Sequence, residues 1–314
     1  MVQVDLITGF LGAGKTTFLR RYVRYLVEQG HNVCILENDF GAVNVDAMLV
    51  QDLLGPRCDL ETISGGCDCD THQRRMRTKL IAMAMRGFDR VVVEPSGIFD
   101  VDEFFDVLRD DPLDRWYQVG NVIAIVDAML PGTLSPQAEY LLASETANAG
   151  RVLLSRTRQA GQAQTAAAAA HLTRALEDCK CSRRFAPEEI LTKDWAQLTG
   201  ADLAALASCG YRQASCEKLH FDEHEAFSSL CFLEQHLTLQ QLQAAADRLF
   251  ADRACGHVLR VKGFAPDPQG TTGWLELNAT AAGKTLAPIP QGQDVLIVIG
   301  EGLDKAAIEA RLKA

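Results

Sequence analysis

Long hydrophobic runs are what this chain most plainly lacks. No stretch approaches the roughly 20 apolar residues that a membrane-spanning helix requires. Positive charge is also scarce: 31 Lys and Arg stand against 41 Asp and Glu, for a net charge of -10. A nucleic-acid or anionic-membrane binder needs a basic footprint that survives salt, so neither partner is expected. No internal repeat is visible. The first strand-like run, Val2 to Thr8, leaves no room for a leader segment, so the expected location is cytoplasmic. What is present is ordinary globular material, 47% hydrophobic and 23% charged over 314 residues, enough for a large domain plus a smaller one. Ten cysteines are scattered along it. In a reducing compartment these read as free thiols or metal ligands rather than disulfides. Cys34, Cys209, Cys231 and Cys255 read as small buried hydrophobes.

Strand-like runs alternate with helical stretches through the first half. Val2–Thr8, Asn32–Glu37, Arg90–Glu94, Val122–Asp127 and Arg151–Ser155 are rich in Val, Ile and Leu without alternation, the pattern of strands buried on both faces of a parallel sheet. The expected fold is α/β, a doubly wound and mostly parallel sheet, with a smaller α+β C-terminal domain of hairpin-like strands. The expected boundaries are 1–205, a linker at 206–222, and 223–314.

Chemistry concentrates at Gly9-Phe10-Leu11-Gly12-Ala13-Gly14-Lys15-Thr16, followed by Thr17. This fits Gly-x-x-x-x-Gly-Lys-[Ser/Thr] between a strand and a helix, the phosphate-binding loop of P-loop nucleoside triphosphatases. The glycines and Ala13 let backbone N–H groups face a phosphate chain, and the helix N-terminus adds its dipole. Lys15 is assigned to the β/γ oxygens, Thr16 to Mg²⁺. Glu94, ending an apolar strand, is expected near Mg²⁺ or the attacking water, and Gly97 near the γ-phosphate. Glu37 and Asp39 form a further acidic cluster at the same edge, where ligands bind in open α/β sheets, and Asp39 is expected to orient the attacking water with Glu94. Surface carboxylates capping a helix are the plainer account of Glu94 and Asp39.

With these segments in order, the chain resembles the CobW family of P-loop GTPases. Ile7 to Thr17, Glu94-Pro95-Ser96-Gly97, Val126-Asp127-Ala128, Leu259 to Phe264 and Val298-Ile299-Gly300 carry the resemblance. It implies a GTP-driven metal chaperone or insertase, with zinc, cobalt or cobalamin themes and a client metalloprotein or cobalamin-related protein; turnover is expected to be slow, because no arginine finger is evident in the site. Self-association is left open. Two family elements are altered. The family's Cys-x-Cys-Cys is here Cys67-Asp68-Cys69-Asp70, with an aspartate at the third cysteine. Two thiolates cannot complete a four-ligand zinc site. Asp68, Asp70, His72, Glu37 or Asp39 are the candidates to join Cys67 and Cys69 around Zn²⁺ or Co²⁺. The family's Asn-Lys-x-Asp is here Ser155-Arg156-Thr157-Arg158. Arg158 carries only donors and cannot accept from a guanine edge. Arg156 retains a plane that can stack on a purine, and Ser155 offers one hydrogen bond. GTP is favoured, with weaker discrimination against ATP.

Other features are weaker. Cys179-x-Cys181 reads as a second soft-metal candidate without a His pair nearby. His220, His224 and His236 read as solvated, and the basic run Gln73-Arg74-Arg75-Met76-Arg77 with Lys79 as a solvated face. The competing functions are a regulatory P-loop NTPase with a vestigial metal motif, acting through a partner protein, and a phosphotransferase, for which no lid with paired arginines is evident.

Overall fold

The computed structural model describes residues 1–39, 49–64, 69–97, 101–217, 226–270, 273–289 and 292–313, with side chains for all of these but 38, 39, 64 and 69–72. The chain divides into two compact units, one holding the described residues up to 217 and the other those from 226 onward.

The first unit is built on seven strands: β1 (Val2–Thr8), β2 (Val33–Asp39), β3 (Cys58–Ser64), β4 (Arg90–Glu94), β5 (Tyr117–Asp127), β6 (Arg151–Ser155) and β7 (Ile190–Leu191). Their order is β3-β2-β4-β1-β5-β6-β7, and every neighbouring pair is parallel. The continuous apolar reading of the central strands has its cause here, since β4 is buried along its whole length. The helices are α1 (Lys15–Glu28), α2 (Cys69–Met85), α3 (Val101–Arg109), α4 (Leu113–Trp116), α5 (Pro136–Ala147), α6 (Thr157–Asp178) and α7 (Gly200–Leu206). On α1, Phe18, Leu19, Tyr22, Val23 and Leu26 form one stripe at helical spacing and pack on β1, β2 and β4 residues such as Ile7, Ile35 and Val92.

One carboxylate of this sheet is wholly withdrawn from solvent. Asp5 is fully buried in β1 and accepts hydrogen bonds from Tyr22 Oη at 2.8 Å, Arg90 Nη1 at 2.6 Å, Asn121 N at 2.8 Å and Asn121 Nδ2 at 2.9 Å. The β1–β5 register shifts between Val4 and Leu6, where this carboxylate intrudes. Four donors satisfy a buried charge that would otherwise be prohibitive, and they tie α1, β4 and β5 to β1. Burial, then the Asp5 charge, raises the Tyr22 hydroxyl pKa far above the usual phenol range.

The sequence reading expected a linker from 206, but residues 200–217 are packed into the first unit. Thr199 and Asp202 form a capping box at α7, whose Leu203 and Leu206 join the α1 core. Gly210 N donates to Asn121 Oδ1 at 2.8 Å and Arg212 N to Asn148 O at 3.1 Å. Polar composition concealed two core leucines.

The second unit is a five-stranded antiparallel sheet in the order β11-β10-β9-β12-β8. Its strands are β8 (Ser228–Leu233), β9 (His257–Pro266), β10 (Trp274–Thr280), β11 (Gly283–Ile289) and β12 (Val295–Glu301). Helix α8 (Leu239–Ala251) lays Leu242, Ala245, Ala246 and Leu249 on the sheet, joined by Ile308 and Leu312 of α9 (Lys305–Leu312). Cys34 and Cys255 are buried as expected, while Cys209 and Cys231 are half-buried. His236 is exposed and pairs with Asp294 at 2.6 Å. His220 and His224 lie outside the described residues.

Candidate functional site

The site forms where the sheet reverses direction of winding, at the carboxyl ends of β4, β1 and β5. Strand β1 stops at Thr8, and the chain turns through Gly9 (φ 137°), Gly12 (φ 76°) and Gly14 (φ 103°) before α1 begins at Lys15. These angles favour glycine over any L side chain. At Gly9 space forbids one as well, because a Cβ would lie 2.1 Å from Ile125 O of β5. Lys15 is buried and donates from Nζ to Gly9 O at 2.7 Å, closing the loop on itself.

Thr16 Oγ1 donates to Glu94 Oε1 at 2.7 Å, joining the first turn of α1 to the end of β4. Glu37 stands beside Glu94 in the β2–β4 register, and both carboxylates are buried. Gly97 passes against the loop so closely that a Cβ there would lie 2.7 Å from Leu11 N and 2.9 Å from Lys15 Nζ. Gly9, Gly12, Ala13, Gly14, Lys15, Thr16, Glu37, Glu94 and Gly97 therefore gather at one sheet edge, with Thr17 exposed on the first turn of α1.

On the other flank, Arg156 takes a left-handed conformation (φ 55°) at the start of α6. Its Nη2 donates to Gly12 O at 2.9 Å and its Nη1 to Asp127 Oδ2. The sequence reading gave this guanidinium a stacking role. The structure uses it to fasten β5 to the phosphate loop. Burial raises the Asp127 carboxyl above its ordinary value, outweighing the opposing Arg156 charge and the Met129 N–H. Ser155 is buried at the end of β6, and Trp195 leans over Gly14, where a Cβ would lie 3.4 Å from the indole and 3.8 Å from Ser155 Cβ. Ser155 Oγ and Trp195 Nε1 are both buried without a hydrogen-bond partner among the described residues. Buried polar atoms left unsatisfied are costly.

Arg158 is exposed and lines an open groove of about 740 Å³ with Thr157, Gln162, Thr192, Asp194 and Gln197. Sequence reasoning missed the Trp195 loop. Its only signal was a lone aromatic after the short β7, and its position beside Gly14 depends on the fold.

Among the described residues no group of three or more His, Cys, Asp or Glu side chains could hold a metal ion. Cys67 lies outside those residues, as do the side chains of Cys69, His72 and Asp39, so the predicted metal loop and the predicted water-orienting Asp39 fall there too. Among the described residues no helix is long and apolar enough to cross a membrane.

Fold and loop together define a P-loop nucleotide-binding protein. Residues 3–185 match the model of the CobW/HypB/UreG nucleotide-binding domain, and the chain belongs to that family. It is 32% identical over 173 residues to the zinc chaperone YjiA of Escherichia coli, an alignment covering 52% of each chain. It is 30% identical over 131 residues to the zinc chaperone YeiR of the same organism, covering 41% of this chain and 39% of that one. The chain thus spans about half, or less, of the length of these curated relatives. The crystal structure of the Zn(II)-bound YjiA GTPase from E. coli aligns over 99% of this chain and 98% of that chain, at 21% identity and a TM-score of 0.36.

Proposed function

We propose that this protein is a cytoplasmic nucleoside triphosphatase, preferring GTP and tolerating ATP, that couples slow hydrolysis to binding and release of a Zn²⁺- or Co²⁺-type ion. The ion is cargo for a client metalloprotein or cobalamin-related protein. The observation that carries the reading is the 2.7 Å contact between Thr16 Oγ1 and Glu94 Oε1 beside a closed phosphate loop. Two hard oxygen donors at that corner suit Mg²⁺, which takes one or two protein oxygens together with substrate phosphates. Mg²⁺ would neutralise charge on the transferred phosphoryl group. Lys15 would exchange Gly9 O for phosphate oxygens, Gly97 would offer its N–H to the terminal phosphate, and Glu94 with Asp39 would orient the water. The names of the relatives, both zinc chaperones, support metal as the cargo. Cys67 and Cys69 are the proposed principal ligands, with Glu37 and His72 completing the set.

Zinc or cobalt titration of the whole protein with GTP, ATP, GDP and no nucleotide tests this, repeated on the Cys67→Ser/Cys69→Ser variant. A nucleotide-dependent affinity that the variant loses is expected. Equal affinity in all four states, unchanged in the variant, would replace it with the regulatory NTPase reading that Asp70 favours.

A further inference from the structure

Cys179-x-Cys181 has a third cysteine beside it that the sequence places far away. Helix α6 ends at Asp178, Lys180 turns through a left-handed conformation (φ 47°), and Cys181 N donates back to Leu176 O at 2.8 Å. That cap fixes where Cys181 lies. The segment 214–217 runs alongside in the opposite sense. Ser182 N donates to Ser215 O at 2.8 Å, Ser215 N to Ser182 Oγ at 3.0 Å, and Glu217 N to Cys179 O at 3.0 Å. Lys180 Nζ pairs with Glu217 Oε2 at 2.5 Å. These contacts bring Cys181 and Cys216 alongside each other on two adjacent segments.

The two thiols lie close enough to shift one another's pKa, that of Cys181 downward and that of Cys216 upward. A disulfide needs Cα atoms about 4.4–6.8 Å apart, which suits residues on adjacent segments joined by backbone hydrogen bonds. Both are free thiols, Cys181 buried and Cys216 half-buried. The neighbouring Cys216 thiol, the Arg183 backbone N–H and the Arg184 and Arg183 charges favour a thiolate on Cys181. Cys216 keeps the proton, with Cys179 and Asp102 adding negative charge around it.

We propose that Cys181 and Cys216 are a reversible dithiol that a small hydroperoxide converts to an intramolecular disulfide. The Cys181 sulfur attacks a peroxide oxygen, the O–O bond breaks, and one water leaves after taking a proton, so Cys181 becomes a sulfenic acid. The Cys216 sulfur then attacks Cys181 Sγ, the S–O bond breaks, and the Cys216 proton departs in a second water. Two thiols are oxidised and one hydrogen peroxide is reduced to two waters. A dithiol reductant reverses the step by exchange. Burial of Cys181 beside half-buried Cys216 favours a small oxidant over a bulky one. The disulfide would close residues 181–216 into a loop holding β7, the Trp195 turn beside Gly14, and α7.

Peroxide treatment of the reduced full chain, followed by intact mass and a non-reducing peptide map, tests the pairing. The expected result is a loss of two hydrogens, with the Cys181 and Cys216 peptides joined, restored by dithiothreitol. Cys216→Ser should accumulate a dimedone-trapped sulfenic acid at Cys181, whereas Cys181→Ser should form neither link nor adduct at Cys216. Far-UV circular dichroism of each variant checks that it folds, and the parent's map needs no variant. Separate alkylation of Cys181 and Cys216 after peroxide, or their joining to other cysteines, would overturn the proposal.

Discussion

Alanine at Gly97 would place its Cβ 2.7 Å from Leu11 N, 2.9 Å from Leu11 Cα and 2.9 Å from Lys15 Nζ. Ordinary contacts between such atoms begin near about 3.5 Å, so the phosphate loop must retreat by about 0.6–0.8 Å. Gly97 does not occupy the left-handed region, so alanine strains no backbone angle of its own and the effect comes from close approach alone. Overpacking of this size costs about 1–3 kcal/mol. Without nucleotide, part of that cost is relieved by shifting Leu11. Binding demands the original loop, so the relief is forfeited and that part of the cost falls on nucleotide affinity, at most about 150-fold. Titration with a fluorescent GTP analogue in Mg²⁺, beside a urea melt of the free protein, measures both parts. Affinity within about twofold of the parent would refute the assigned closeness of Gly97 to the bound phosphates.

Three further outcomes are expected. Arg158→Asp restores an acceptor beside the proposed base flank and should raise the preference for GTP over ATP by at least about tenfold, read by competitive displacement. Asp5→Ala strips the partner from buried Arg90 and three other hydrogen bonds, and should lower stability by about 3–5 kcal/mol in denaturant melts, with loss of soluble protein as the extreme case. Asp127, whose carboxyl is raised by burial, keeps a proton in the folded chain at pH values where the unfolded chain has released it. Its contribution to stability therefore falls as pH rises from the ordinary 3.8 through the raised value, and Asp127→Asn should flatten that part of the pH–stability curve.

Much of the first unit was legible because buried parallel strands advertise themselves. Val91, Val92 and Val93, or Ile123 to Val126, have no other economical reading. Strands β3, β7 and β11 and helix α5 were not foreseen. β3 mixes charge with apolar residues at a sheet edge, β7 is two residues long, and β11 is exposed over most of its length. Helix α5 has Pro at its first position and a buried Glu145 and Thr146, which blur its apolar face. The tract from 206 read as linker because Leu206 is the one leucine anchor among its described residues, which are otherwise mostly small and polar.

The sequence alone determined the phosphate loop, because everything that loop needs is local: a strand, glycines at positive φ, and a helix start within a dozen residues. It also determined that Arg158 cannot accept hydrogen bonds from a guanine edge and that Asp70 leaves the metal motif short of a thiolate, since donor and acceptor capacity belongs to the side chain itself. Tertiary structure decided what depends on distant partners. Arg156 meets Asp127 across 29 positions and fastens it to Gly12. Trp195 covers Gly14 because β7 ends beside it, and Cys216 reaches Cys181 because the tract before it folds back on the first unit. No local pattern encodes such meetings; they arise when the packing of the sheet brings separated segments to one edge.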